Sequence, residues 1–91
     1  MNKYAHVRAS KIDPENPRIC AWPTCRVAIA SAHLMCEEHW VTLHPDLRRA
    51  VWDAYEVGQE ETGLVSREYA QAVEKALAYA QVVIGIAALG E

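Results

Sequence analysis

Hydrophobic and polar positions in the second half of the chain alternate with a helical period. Apolar residues recur there at three- and four-residue steps, which is typical of helices that bury one face. Pro45 suits the first turn of a helix, and Gly58 is placed as the left-handed residue that ends it. Ser66 is a natural N-cap for a longer helix. The pattern therefore predicts helices over 36–43, 45–57 and 66–89.

The last of these helices changes character halfway along. Up to Gln81 its apolar residues form a single stripe, but over Val82–Leu89 they occupy every side. Such a segment has to be covered, and we expect burial within the chain, with a homodimer through 66–89 as the alternative. The apolar stretch is shorter than the roughly 20 residues that a membrane span needs, so we expect no membrane association.

The first part of the chain has no such periodicity. Pro14 and Pro17 remove backbone donors and disfavour helix in the residues before them, so residues 1–18 are expected to form a loosely ordered arm. Between 26 and 35, two short runs that suit β-strands flank a turn of small residues, which predicts a hairpin. The expected fold is mainly α with a small β-hairpin, and residues 19–91 form a single domain.

Composition narrows the class of protein. The chain has 91 residues, 52% of them hydrophobic, and a formal net charge of −3. This is enough apolar material for one small core, and the negative charge argues against a basic surface over the whole chain. Five basic residues against two acidic ones in 1–26 nevertheless make the N-terminal arm basic. The N-terminus lacks the apolar stretch of a signal peptide, so we expect a cytoplasmic protein.

The strongest chemical signal is a set of potential metal ligands. Cys20 and Cys25 form a C-x4-C pair, and Cys36 with His39 forms a C-x2-H pair at the start of a predicted helix. Three thiolates and one imidazole suit tetrahedral Zn²⁺, and residues one helical turn apart point the same way. His33 is a rival fourth ligand, but on a hairpin strand it would not point the same way as Cys36. The sequence predicts a structural zinc unit over 19–44.

Catalysis is not expected from this ligand set. Four protein ligands leave no coordination position for water, which catalytic zinc sites usually keep. The H-E-x-x-H and deaminase signatures are absent. A less favoured alternative is an HNH-like nuclease, in which His33 would have to act as general base.

Two sets of side chains are candidates for binding a partner. Arg48, Arg49 and Trp52 share one side of the second predicted helix and are of residue types enriched at binding hot spots. Ordinary packing of Trp52 in the core is the alternative. We expect Trp40 in the core, Trp22 as a shield for the metal, and His44 as a possible helix cap. If the basic arm binds nucleic acid, the phosphate contacts would come from Lys3, Arg8, Lys11, Arg18 and Arg26.

Two resemblances add to these expectations. A knuckle at 20–25, a hairpin and a helix that opens with Cys36 resemble a treble-clef zinc unit. The pattern C-E-E-H-W, followed by L-R-x-x-V-W-x-x-Y-x-x-G-Q, resembles small uncharacterised proteins of bacteriophages and prophages over residues 20–60. This similarity implies a phage-type accessory or regulatory protein that binds a host or phage protein, for example as an inhibitor of a host system. A nucleic-acid-binding transcriptional regulator is the alternative.

Overall fold

Helices account for most of the computed structural model, which describes residues 3–89. The only sheet in this range has two antiparallel strands, so the predicted class, mainly α with a small β-hairpin, is confirmed. The described range leaves out residues 1 and 2 of the predicted arm and residues 90 and 91 of the predicted domain. The elements in chain order are α1 (Lys3–Ala9), β1 (Arg18–Ile19), β2 (Ala28–Ile29), α2 (Glu37–Thr42), α3 (Pro45–Ala54), α4 (Gln59–Thr62) and α5 (Arg67–Leu89).

The core forms where α3 packs against the first half of α5. Ala76 and Ala80 are fully buried on α5, and Val51 and Tyr55 are buried on the facing side. Alanine at these positions leaves room for the larger side chains of the neighbouring elements to fill the space. At the start of α5, the backbone N–H of Tyr69 donates to the hydroxyl of Ser66 at 3.0 Å, which confirms the predicted N-cap.

The second half of α5 is not covered by the rest of the chain. Val82, Ile86 and Leu89 are 59%, 64% and 88% exposed. The expectation that Val82–Leu89 is buried within the same chain was therefore wrong. The reason is that α5 extends beyond the elements that pack against its first half. Among residues 3–89, α5 is also the one helix that is long and apolar enough to cross a membrane, although core helices of soluble proteins meet the same criterion.

The predicted helix over 45–57 ends earlier, at Ala54. His44 accepts a hydrogen bond from the backbone N–H of Asp46 at 3.1 Å and so caps its start, as predicted. At the other end, Tyr55 adopts an extended backbone conformation, which stops the helix. Gly58 has the expected left-handed conformation, with φ of 93°, but it precedes the short helix α4. The hydrophobic pattern did not predict this four-residue helix.

The beginning of the N-terminal arm is a helix, which corrects the expectation of a loose segment over 1–18. The ammonium group of Lys3 donates to the backbone carbonyls of Trp52 and Tyr55, at 2.7 and 3.4 Å, near the C-terminus of α3. Carbonyls at the C-terminus of a helix carry partial negative charge, so a lysine there stabilises them. Contacts across about 50 residues of sequence hold α1 in place.

The strands pair differently from the predicted hairpin over 26–35. Arg18 lies opposite Ile29, and Ile19 opposite Ala28, so the hairpin loop is the segment that contains Cys20 and Cys25. The second of the two apolar runs that suggested a hairpin, which includes Leu34 and Met35, is buried irregular chain. Local alternation could not distinguish these possibilities because each strand is only two residues long.

Candidate metal centre and aromatic groove

The first two cysteines lie in the loop of the hairpin. The backbone N–H of Cys20 donates to the carbonyl of Val27 at 2.9 Å, immediately beyond the paired strand residues. The N–H of Cys25 donates to the carbonyl of Trp22 at 2.9 Å, which closes a tight turn between the two cysteines. The sulfurs of these two cysteines lie within 4.8 Å of each other.

The other two potential ligands come from the start of α2. Cys36 is its N-cap residue, and His39 follows within the first turn. The imidazole Nδ1 of His39 is 3.6 Å from the sulfur of Cys20 and 3.3 Å from the sulfur of Cys36. The ligand atoms of all four predicted residues, including Cys25, lie within 4.8 Å of one another.

This geometry is compatible with a tetrahedral metal ion. Zn–S bonds of about 2.3 Å and Zn–N bonds of about 2.0–2.1 Å place sulfur and nitrogen about 3.6 Å apart at a tetrahedral angle. The two measured S···N distances are close to that value. All three cysteines are free thiols, so no disulfide competes for the sulfur atoms. Cys20, Cys25, Cys36 and His39 could therefore hold a metal ion.

Backbone donors favour the thiolate of Cys25, whereas burial outweighs them at Cys20. The N–H of Val27 holds the pKa of Cys25 below its ordinary value by hydrogen bonding to its sulfur. Burial raises the pKa of Cys20, and the N–H groups of Cys36 and Trp22 partly oppose that effect. Hydrogen bonds from N–H groups favour the thiolate, which is the form that binds a metal.

Aromatic packing fixes the orientation of the histidine ligand. The ring of Trp22 is stacked on the ring of His39, with centroids 4.6 Å apart and planes within 6° of parallel. Trp22 is itself buried, so it covers one side of the cluster as the sequence analysis expected. His33, the rival ligand, is exposed and lies outside the cluster.

A groove of about 830 Å³ is lined by Met35, Glu37 and Trp40, which are chain neighbours of the candidate ligands Cys36 and His39. Its walls come from α1, from the segment 32–37 that leads into α2, and from α3. We call it the aromatic groove because tyrosine and tryptophan rings line much of it. All three residues of the predicted binding face are among those that line it: Arg48, Arg49 and Trp52.

Trp52 combines the two roles considered for it. Its ring is half-buried, 5.8 Å from the ring of Tyr4 in an edge-to-face arrangement and 6.4 Å from the ring of Tyr55. Trp40, expected in the core, is also half-buried and lines the groove. Both tryptophans thus pack against the domain on one side and face the groove on the other.

Tyr4 and Arg8 belong to this surface as well, although the sequence had not indicated it. Both lie on α1 and line the groove, and the Arg8 guanidinium carbon is 5.5 Å from the centre of the Tyr4 ring. Their four-residue spacing would place both on one face of a helix, and this is the signal that could have indicated the shared surface. Only the docking of α1 shows that these side chains join the residues of α3.

The five basic residues proposed for nucleic-acid contacts do not line one common cavity. Lys3 binds backbone carbonyls of α3, and Arg8 lines the aromatic groove. Arg18 lines a separate cavity of about 180 Å³, beside Tyr69. The remaining two, Lys11 and Arg26, are exposed. Among the described residues, part of the positive charge of the arm is therefore engaged in contacts within the domain.

A buried polar cluster joins α1 to α4, and the sequence had not suggested it. The hydroxyl of Tyr55 donates to Glu60, whose carboxylate also lies 3.2 Å from Nε2 of His6. Burial raises the pKa of Glu60, but the hydrogen bonds from Tyr55 and His6 outweigh it and leave that pKa lowered. Burial and the nearby Glu60 carboxylate raise the pKa of Tyr55 well above its ordinary value.

Comparisons with known proteins add no relative. No family model, no curated protein and no solved structure matches this chain. Functional inference therefore depends on the Cys/His cluster and on the groove beside it.

Proposed function

We propose that this chain is a non-enzymatic, zinc-stabilised protein-interaction module that binds its partner in the aromatic groove. The single observation that carries the proposal is the position of the groove. Its wall at 32–37 contains Cys36, so a metal bound to that cysteine would hold the wall in place. The opposite wall presents Arg48, Arg49 and Trp52.

Zinc is the proposed metal because of the donor set. Three sulfurs and one imidazole nitrogen suit this ion, and S₃N coordination by four protein side chains is typical of structural sites. A site of this kind, with no open coordination position, supplies stability and no reaction. In a 91-residue chain with a small core, a bound ion contributes directly to the free energy of folding.

We also propose that the zinc unit is treble-clef-like. Two of its ligands come from a knuckle and two from the start of a helix, as in that kind of unit, but here the paired strands flank the knuckle and no separate hairpin follows it. The similarity of residues 20–60 to phage-encoded proteins motivates the biological setting. The proposed partner is a host or phage protein in the bacterial cytoplasm, and inhibition of a host system is one outcome of binding that we consider.

A pull-down with a matched pair of variants tests the interaction. Wild type, Trp52→Ala and Val41→Ala are immobilised with zinc and exposed to bacterial lysate. Val41 is 60% exposed on α2 and does not line the groove, so it controls for loss of an apolar surface residue. We expect a protein that wild type and Val41→Ala retain and that Trp52→Ala loses.

A captured protein supports the proposal only if it forms the complex again when both proteins are purified. Its dissociation constant should rise about tenfold or more with Trp52→Ala, because aromatic anchors contribute about 2 kcal/mol or more at interface centres. Equal affinity of the two variants for the purified protein would show that the groove is not the binding site.

A further inference from the structure

The aromatic groove is positively charged in a protein that is acidic as a whole. Arg8, Arg48 and Arg49 line it, against the single carboxylate of Glu37. Ion pairs within residues 3–89 join His6 to Glu60 and His44 to Asp46, so none of the three arginines has a carboxylate partner in the described chain. The net charge of the whole chain is −3.

Two of these arginines are oriented by contacts with the domain. The side-chain Nε–H of Arg48 donates to the carbonyl of Leu43 at 3.2 Å, and Arg8 lies over the ring of Tyr4. Arg48 therefore keeps its other N–H groups available for an acceptor. Arginine held in this way loses less side-chain freedom when it binds a carboxylate, often through two parallel hydrogen bonds.

The inner surface of the groove is apolar. Met35, Val51 and Tyr55 are buried at 2%, 4% and 5% exposure and line it, with the half-buried rings of Trp40 and Trp52 also facing the space. A bulky apolar side chain would displace water from such a surface, whereas a purely ionic ligand would not. The groove thus offers apolar contact at its centre together with unpaired cationic side chains.

We propose that the occupant of the aromatic groove is an acidic protein segment in which carboxylates flank a large apolar or aromatic side chain. The apolar side chain contacts the tryptophan rings, and the carboxylates pair with the three arginines. This inference rests on the proposed function and specifies the chemistry of the partner.

The distribution of acidic residues favours a protein segment over nucleic acid. Asp46, Asp53 and Glu56 are exposed on or next to α3, the helix that carries two of the arginines. A nucleic-acid backbone repeats its negative charge at every nucleotide and requires an extended basic surface. A short acidic segment needs complementary charge only within the groove.

Selection from a random peptide library tests this chemistry even though the partner is unidentified. Zinc-loaded wild type, Trp52→Ala, the double variant Arg8→Glu/Arg49→Glu and the control Arg67→Glu serve as targets. Arg67 is an exposed arginine in the first turn of α5, outside the groove. We expect wild type and the control to enrich peptides with Asp or Glu beside Trp, Phe or Leu.

The charge-reversal variant provides the sharpest readout. It should shift the enriched residues from Asp and Glu to Lys and Arg while keeping the apolar position. A synthetic peptide selected on wild type should bind the variant at least about tenfold more weakly, and salt should weaken wild-type binding. Bound zinc and circular dichroism show whether each variant is folded. If the double variant does not fold, the single variant Arg49→Glu is used in its place.

The outcomes separate the two proposals. Peptides that depend on Trp52 but carry neutral or basic residues would overturn the acidic partner and leave the groove as a binding site. No enrichment over the Trp52→Ala background would overturn the proposed function itself. Nucleic acid would be the occupant, and this inference would be refuted, if a mixed-sequence single-stranded oligonucleotide bound wild type more tightly than the selected peptide does. That binding would also have to be lost with Arg8→Glu/Arg49→Glu.

Discussion

At the scale of single residues, His39 connects the metal centre with the surrounding packing. Its Nδ1 faces the sulfurs of Cys20 and Cys36, and its ring is stacked on Trp22. A ligand whose ring is held by packing loses little entropy when a metal binds. His33 is the same residue type six positions earlier, and it is exposed.

The two histidines make a matched test of the ligand set. We expect His39→Asn to lose stoichiometric zinc and much of its helical circular dichroism together, because folding and metal binding are coupled. His33→Asn should keep both. Metal is measured by elemental analysis of untagged protein purified without chelator. Absence of any stoichiometric transition metal from the wild type would refute the metal centre.

Tyrosine ionisation provides a second test at this scale. The ordinary pKa of tyrosine is 10.0, and burial raises the pKa of both Tyr55 and Tyr69, which Glu60 raises further. In the folded protein Tyr55 and Tyr69 should remain un-ionised at pH 10, whereas in concentrated urea both should be partly ionised at that pH. Tyrosinate absorbance as a function of pH measures the difference.

The sign of the linked effect on stability follows from these pKa values. Above pH 10 the unfolded chain releases protons that the folded chain retains, so the free energy of unfolding falls as the pH rises. Tyr55→Phe should reduce that fall, since it removes one of the two shifted groups. Identical tyrosine titration curves with and without urea would contradict the buried cluster around Glu60.

At the scale of elements, the docking of α1 turns a basic arm into one wall of the groove. Lys3 binds the carbonyls at the end of α3, and its ammonium lies 5.8 Å from the centre of the Trp52 ring. His6 adds a contact to Glu60 on α4. The seven-residue helix is too short to be stable alone, so these contacts hold it in helical form.

Removal of the lysine contact should therefore destabilise the domain. Lys3→Ala is expected to lower the free energy of unfolding by about 1 kcal/mol, the scale of a charged hydrogen bond at a helix C-terminus. In a domain of this size, that loss corresponds to a fall in Tm of about 4–8 °C. Lys11→Ala, at an exposed position, is the control.

The measurement is a thermal melt at one fixed concentration of free zinc, because bound metal shifts the apparent stability. Equal melting temperatures for Lys3→Ala and Lys11→Ala would mean that α1 is not held as described.

At the scale of the whole molecule, the main feature is the uncovered half of α5. From Ala76 to Gly90 the sequence contains no charged residue, and Val82, Ile86 and Leu89 are mostly exposed. Gly85 lies in the same stretch, and nothing would obstruct a side chain there. An apolar helix surface of this kind favours association in water.

We expect self-association through a second copy of this surface. Wild-type protein should show concentration-dependent dimerisation in sedimentation velocity, and Ile86→Glu should be monomeric because the interface would bury an unpaired charge. Gln71→Glu, an exposed position in the first half of α5, should associate like wild type. Binding of wild type to neutral lipid vesicles in place of dimerisation would contradict this prediction.

Local sequence signals were sufficient for some features because short-range physics controls them. The spacing of Cys20, Cys25, Cys36 and His39 identified the donor set, which the structure brings together. The N-cap at Ser66 and the left-handed Gly58 depend on one or two neighbouring residues, and both were predicted. The zinc ion, the phage-type origin and the absence of catalysis stay predictions.

The tertiary structure decided what depends on contacts between distant residues. The helix over Lys3–Ala9, the pairing of Arg18 with Ile29, and the joining of Tyr4 and Arg8 to Trp52 each require segments far apart in sequence. A two-residue strand or a seven-residue helix has too little local free energy to specify itself, so packing selects its conformation. The sequence by itself therefore determined the Cys/His donor set that could bind a metal, whereas the groove and the exposed half of α5 were determined by which surfaces meet when the chain folds.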